Sequence, residues 1–150
     1  MSKELLIRKA TREDVPTILS LLMDDDLGKL HEDGNLEVYE DAFQSVSSDA
    51  NQILAVAVLN SKIVGCLQIT FIPGLSRKGM WRAQIEGVRI AHALRGHGLG
   101  TDLIEWAIAR CKERGCGLMQ LLADKSRTEA HRFYESLGFK ANHQGFRLYM

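Results

Sequence analysis

The 150-residue sequence has only two prolines, no net charge and no long apolar run. Nineteen Lys and Arg stand against nineteen Asp and Glu. That balance supplies no field to attract nucleic acid or an anionic membrane, and no basic–aromatic tract offsets it. No stretch approaches the length of a membrane span. The apolar run in Met1-Ser-Lys-Glu-Leu-Leu-Ile-Arg8 is too short, and too closely flanked by charge, for a secretory signal. Three cysteines, Cys66, Cys111 and Cys116, are odd in number and lack metal-ligand spacing. They are expected as thiols in a reducing, cytoplasmic compartment, with no metal bound. Linkers, repeats and low-complexity tracts are also missing, so residues 1–150 read as one domain, with 45% hydrophobic residues to fill a core.

Hydrophobic periodicity then orders the elements. Residues 4–10 read as a first strand. Thr11-Arg-Glu-Asp14 is a capping box before a helix with Val15, Ile18, Leu19 and Leu22 on one face. A second helix is expected after Asp33-Gly34-Asn35, striped by Leu36, Tyr39, Phe43 and Val46. Strands over 53–59 and 63–72 are joined by a tight hairpin at Asn60-Ser61-Lys62. Pro73-Gly74 and a loop to Gly79 lead to a strand over about 81–90. A glycine-rich turn opens a long helix with Leu99, Leu103, Ile104, Ala107, Ile108 and Cys111 inward, ended by Gly115. A short strand covers 118–123. Ser126-Arg-Thr-Glu129 is a second capping box, for a helix with Ala130, Phe133 and Leu137 inward and Gly138 as C-cap. Residues 139–150 would add two strands around His143-Gln-Gly145. The order β-α-α-β-β-β-α-β-α-β-β is a mixed α/β layer fold.

The chemistry begins at Arg95-Gly96-His97-Gly98-Leu99-Gly100-Thr101, where a strand meets a helix. Glycines permit close backbone approach, and the first N–H groups of a helix lack intrahelical acceptors. With the helix dipole they form an anion site suited to phosphate, and Arg95 adds a positive charge at its rim. The plain alternative is a flexible strand-to-helix turn. Walker A is excluded because Gly-Lys-Ser/Thr is absent, and the dinucleotide fingerprint because Thr101 occupies its third glycine.

Arg95-Gly-His-Gly98-Leu-Gly100 resembles the Gln/Arg-x-x-Gly-x-Gly/Ala motif of the GNAT N-acetyltransferases, and Phe133-Tyr134-Glu-Ser-Leu-Gly138-Phe139 resembles that family's second hallmark. The likeness covers essentially residues 4–150. It implies a mostly antiparallel sheet of six to seven strands with about four helices on its two faces. It also implies acetyl-CoA as co-substrate, with its pyrophosphate on the backbone of Arg95 to Thr101 and its pantetheine paired along Val88, Arg89 and Ile90. The Val88 N–H would polarise the thioester carbonyl. Phe133 belongs to the same cofactor side, and Tyr134 would place its hydroxyl at the sulfur. As a bare pattern, Tyr134 is equally a core aromatic and His97 a solvated loop residue. The family often has Asn before the Phe-Tyr pair; this chain has Asp124-Lys-Ser126-Arg127, where Ser126 is the cofactor-side candidate, with a helix cap as the plainer reading. Members of this family often pair as homodimers.

An alkylammonium of pKa about 10 must lose a proton before attack, at about 4 kcal/mol at neutral pH. Glu86, in the strand ahead of the glycine turn, is the candidate base; the alternatives are a solvent-facing residue or an ion pair with Arg82 or Arg89. Residues 24–41 are rich in acid, and Asp24-Asp25-Asp26 sits at a helix C-terminus, which disfavours acids. Asp25 and Asp26 are therefore candidates to select a cationic amine, with His31, Trp81 and Arg82 as further acceptor-side candidates. A solvated acidic surface and a lone surface histidine are the plainer readings. The expected activity is direct acetyl transfer to a primary amine, a small cationic molecule ahead of a peptide; a non-catalytic acetyl-CoA-binding module is the alternative from another class.

Overall fold

The computed structural model describes residues 4–24 and 32–150. Its centre is a five-stranded sheet in the order β1 (Leu5–Lys9), β2 (Gln52–Leu59), β3 (Lys62–Ile72), β4 (Trp81–Ile90), β5 (Cys116–Leu121). The first four strands pair antiparallel; β4 and β5 pair parallel. Among the described residues five α-helices accompany them: α1 (Val15–Leu22), α2 (Leu36–Ser47), the four-residue α3 (Ser76–Gly79), α4 (Leu99–Glu113) and α5 (Thr128–Ser136).

Strand alternation divides the sheet between two cores. On one face Ile53, Ala55, Leu67, Ile69, Phe71, Ala83 and Ile85 pack under Leu99, Leu103, Ile104, Ala107 and Cys111 of α4. Phe133, Tyr134 and Leu137 of α5 join this face. On the other, Val56 and Cys66 meet Ile18 and Leu21 of α1. Neither face of α2 is fully buried, although its stripe residues Tyr39, Phe43 and Val46 are half-covered. The β2–β3 hairpin closes through Asn60 and Ser61, at φ 49° and 64°, the positive pair that matches the twist of the flanking strands.

The expected count of six to seven strands and about four helices differs from the five and five observed among the described residues. The extra helix is the single turn α3, where Arg77 and Lys78 are left-handed. The missing strands are those expected in 139–150, which form none. Apolar alternation alone does not make a strand; the segment must also be hydrogen-bonded to a neighbour, and residues 139–150 pair with none of the five strands.

Asp14 shows how the entry to α1 is held. It is the buried acid among the described residues. Its carboxylate accepts from the Arg8 guanidinium at 2.7 and 3.1 Å, and from the Thr11 N–H at 2.7 Å. The capping box is thus present, but it also ties β1 to the helix. The Arg8 guanidinium, first, and the Thr11 donors hold the Asp14 carboxyl below its usual range, against the opposing effect of burial. A lowered folded-state pKa contributes stability above the unfolded value of about 3.9, lost as pH falls below it. Asp14→Ala is expected to destabilise by about 1–3 kcal/mol at pH 7. In urea titrations the gap from wild type should shrink as pH falls below about 4.

Candidate active site

The site is created where β4 loses a neighbour. β4 pairs with β3 along most of its length, but with β5 only over Trp81–Ile85. Past the Ile85–Leu121 pair, the β5-side edge of residues 86–90 has no strand among the described residues. At the same place the β3–β4 register slips: Gln68 lies opposite Glu86 and Cys66 opposite Arg89, so Gly87 and Val88 together face Leu67. Gly87 takes φ 62°, open to glycine at little strain. Such a bulge bends the strand and re-aims its side chains.

Two hollows flank this bulge. One is a cleft of about 820 Å³ lined by Val88, Arg89, Ile90, Arg95, Gly96, Gly98, Leu99, Gly100, Thr101, Ser126, Phe133 and Tyr134. The expected cofactor residues and Tyr134 thus line one cleft; His97 is exposed and does not line it. Leu94 and the segment Arg127, Thr128, Glu129 and Ala130 line it as well, a contribution that sequence reasoning did not assign. The first N–H to bond within α4 is that of Asp102, donating to the Gly98 carbonyl at 3.2 Å. Leu99, Gly100 and Thr101, whose N–H groups precede it, all line the cleft. Arg95 lines the rim, but its guanidinium donates to the Ile90 carbonyl at 3.2 Å and lies 4.0 Å from Asp24. The Asp24 carboxylate also accepts from the His92 N–H at 3.3 Å. The end of α1 is thereby fastened to the glycine turn.

Tyr134 sits edge-on between Phe133 and Phe139, ring centroids 5.1 and 5.6 Å apart. Burial pushes its phenol above the ordinary pKa, opposed by the charges of Arg89 and Arg127. Ser126 does not cap α5. Its N–H and hydroxyl both donate to the Asp124 carboxylate, at 2.8 and 2.6 Å, and Arg127 occupies the N-cap position. An Asx turn at Asp124 has displaced the expected capping box.

The second hollow, about 210 Å³, is lined by Ile18, Leu22, Leu54, Cys66, Gln68, Glu86 and Gly87. Glu86 is exposed to it from the opposite face of β4 to Ala83 and Ile85. Cys66 lies in the wall, yet burial pushes its thiol up to about 12, so a nucleophilic thiolate is not available at neutral pH. Trp81 packs against the core at the far end of β4, and Arg82 beside Gly74; neither lines either of these two hollows. Asp25, Asp26 and His31 lie outside the described residues. Among the described residues no helix is long and apolar enough to cross a membrane, and no group of three acidic, His or Cys side chains could hold a metal.

The sequence model of the Acetyltransferase (GNAT) family matches residues 15–139. The chain belongs to that family. It is 26% identical to the aminoalkylphosphonate N-acetyltransferase of Salmonella typhimurium LT2, over 93% of this chain and 88% of that protein. It is 33% identical to the glucosamine 6-phosphate N-acetyltransferase of Trypanosoma brucei brucei, over 58% of this chain and 57% of that one. A solved structure described as a transcriptional regulator from Bacillus halodurans C-125 is 47% identical, covers 98% of this chain and 100% of its own, and superposes with a TM-score of 0.93.

GNAT acetyltransferases use acetyl-CoA, and the larger cleft of this one can be tested for fit. A Cβ on Gly96 or Gly98 would meet nothing within 4 Å, whereas on Gly100 it would stand 3.2 Å from the Phe133 ring. The turn is thus open above a floor of Phe133, with amide donors at the helix start, as a pyrophosphate requires. Gly100→Leu in this GNAT acetyltransferase should raise the KM for acetyl-CoA at least about tenfold, because the side chain must either displace Phe133 or fill the cleft. Steady-state kinetics with varied acetyl-CoA checks this.

Proposed function

We propose that the chain transfers the acetyl group of acetyl-CoA directly to the primary amine of a small molecule. The observation that carries this reading is the handover along β4: Glu86 and Gly87 line the smaller hollow, and the next three residues, Val88, Arg89 and Ile90, line the larger. Donor and acceptor would then meet at the bulge.

Acetyl-CoA, when bound, supplies an activated thioester. The helix-start amides of Leu99, Gly100 and Thr101 would hold its pyrophosphate, and residues 88–90, which lie past the last β4–β5 pair at Ile85–Leu121, would pair with its pantetheine as an added strand. The Val88 N–H would donate to the carbonyl oxygen as negative charge develops there. Glu86 would take the proton of the incoming ammonium, and the Tyr134 hydroxyl would donate to the departing sulfur. The high pKa of Cys66 supports direct transfer over a cysteine-borne acetyl group.

The acceptor hollow is small and apolar except for Glu86 and Gln68, which favours one compact amine over a peptide. The named relatives act on amines that carry a phosphonate or a phosphate, so such compounds belong beside the cationic amines in any search. A thiol-release assay with aminoalkylphosphonates, hexosamine phosphates, polyamines, aralkylamines and short peptides tests the reading. Turnover on a small primary amine is expected. Turnover confined to peptides, or acetyl-CoA binding without turnover on any amine, would overturn it.

A further inference from the structure

Beside the smaller hollow, one face of the sheet carries a row of uncharged polar side chains. The ladder sets Gln52 of β2 opposite Thr70 of β3, Thr70 opposite Gln84 of β4, and Gln84 opposite Gln120 of β5. The adjoining row puts Gln68 opposite Glu86. All lie on the face away from Ile53, Ile69, Ile85 and Leu121 of the larger core, because side chains alternate along a strand. Gln84 is thus the neighbour of Glu86 on that face, roughly 7 Å along β4.

These side chains are tied from strand to strand. The Gln52 amide oxygen accepts from Gln68 Nε2 at 2.9 Å and from the Thr70 hydroxyl at 3.0 Å, and the Gln84 amide oxygen accepts from Gln120 Nε2 at 3.0 Å. The bonds leave the Gln84 NH2 group and the Gln68 and Gln120 amide oxygens without a partner among the described residues. Gln68 and Gln84 are half-buried and Gln120 is exposed, so a molecule lying on this face can reach all three. A row serving only solvation would be expected to share in the chain's 25% of charged residues. Gln52, Gln68, Thr70, Gln84 and Gln120 carry no charge at all.

We propose that this row binds the body of the acceptor, and that the acceptor is a primary amine on a hydroxyl-bearing body with no anionic group. The inference rests on the acetyl-transfer reading. The ammonium meets Glu86, while hydroxyls further along the molecule accept from the Gln84 amide and donate to the Gln68 and Gln120 oxygens. Partners already tied in place cost little entropy to engage, and they penalise an apolar analogue that leaves them unpaired. An anionic group finds no counter-charge beside Glu86 among the described residues. No basic side chain lines the smaller hollow; Arg8 is paired with Asp14, and Arg12 with Glu40. Arg82 shares the face but stands roughly 13 Å along the strand from Glu86, with its Nη1 beside Gly74.

Initial-rate kinetics with acetyl-CoA and glucosamine, cyclohexylamine or aminomethylphosphonate test it, with each kcat/KM referred to the free-amine form. Wild type should favour glucosamine over both others by at least about tenfold. Gln84→Leu should shrink its lead over cyclohexylamine by about tenfold, through the hydrogen bonding lost. Use of cyclohexylamine or aminomethylphosphonate as good as that of glucosamine, or turnover only on amines without hydroxyls, overturns the inference and leaves acetyl transfer standing. A folded Gln84→Leu that keeps the full lead does the same. The wild-type ranking needs no variant, so it decides even where the variant does not fold. Acetyl-CoA binding without turnover on any small amine overturns the acetyl-transfer reading, and this inference with it.

Discussion

Tyr134→Phe should lower kcat by about 10²–10³ while leaving the KM for acetyl-CoA within about twofold. The ring is held edge-on by Phe133 and Phe139, and phenylalanine preserves both contacts, so folding and cleft shape are retained. Only the hydroxyl is lost. Because burial raises the phenol's pKa above its ordinary 10, the proton is present throughout the neutral and mildly alkaline range. The same shift makes full proton transfer to a thiolate of pKa about 8.5 uphill by at least about 2 kcal/mol. In the proposed mechanism the hydroxyl would therefore act as a hydrogen-bond donor while charge builds on sulfur, a contact that strengthens in the transition state. The signature is a fall in kcat and kcat/KM together, with no loss of wild-type activity between pH 8 and 10 attributable to this group. A fall in acetyl-CoA affinity with kcat unchanged would reduce Tyr134 to a packing residue.

The second large effect belongs to Glu86. Glu86→Gln should lower kcat/KM for the amine by about a hundredfold at pH 7. Glu86 is exposed to the smaller hollow, so the substitution is expected to leave stability nearly unchanged. Without a base, the enzyme depends on the free-amine fraction, about 10⁻³ at pH 7 for an amine of pKa about 10. Log kcat/KM of the variant should then rise with a slope of about 1 toward that pKa, and the gap from wild type should close. Parallel profiles for variant and wild type would remove Glu86 from the proton path.

Much of this architecture was legible residue by residue. The Asn60-Ser61 hairpin, the α4 stripe from Leu99 to Cys111 and the stops at Gly115 and Gly138 all appear, because each rests on local periodicity or a local turn. Both glycines carry the positive φ, 77° and 96°, that a helix end favours. The residues that line the larger cleft were legible for the same reason, since the glycine turn and Phe133-Tyr134 lie in two short, local patterns. What escaped is what distant segments build together. Cys66, Gln68, Leu22 and Leu54 reach the smaller hollow from three other elements, and no spacing within any one of them announces it. A signal for the bulge did exist: Gly87 inside an apolar strand marks a break in the ladder. Asp124, two residues before Ser126, likewise had the Asx-turn spacing that displaced the expected cap. The Arg8–Asp14 pair was hidden because the capping box already explained Asp14.

The central claim is that acetyl-CoA occupies the cleft between β4 and the start of α4, one residue along β4 from the acceptor hollow. Calorimetric titration of acetyl-CoA into wild type, Gly100→Leu and Glu86→Gln tests it most directly. One site per chain in wild type, weakened at least about tenfold by Gly100→Leu and unaltered by Glu86→Gln, is the predicted result. No saturable binding in wild type, or binding indifferent to Gly100→Leu, would contradict it.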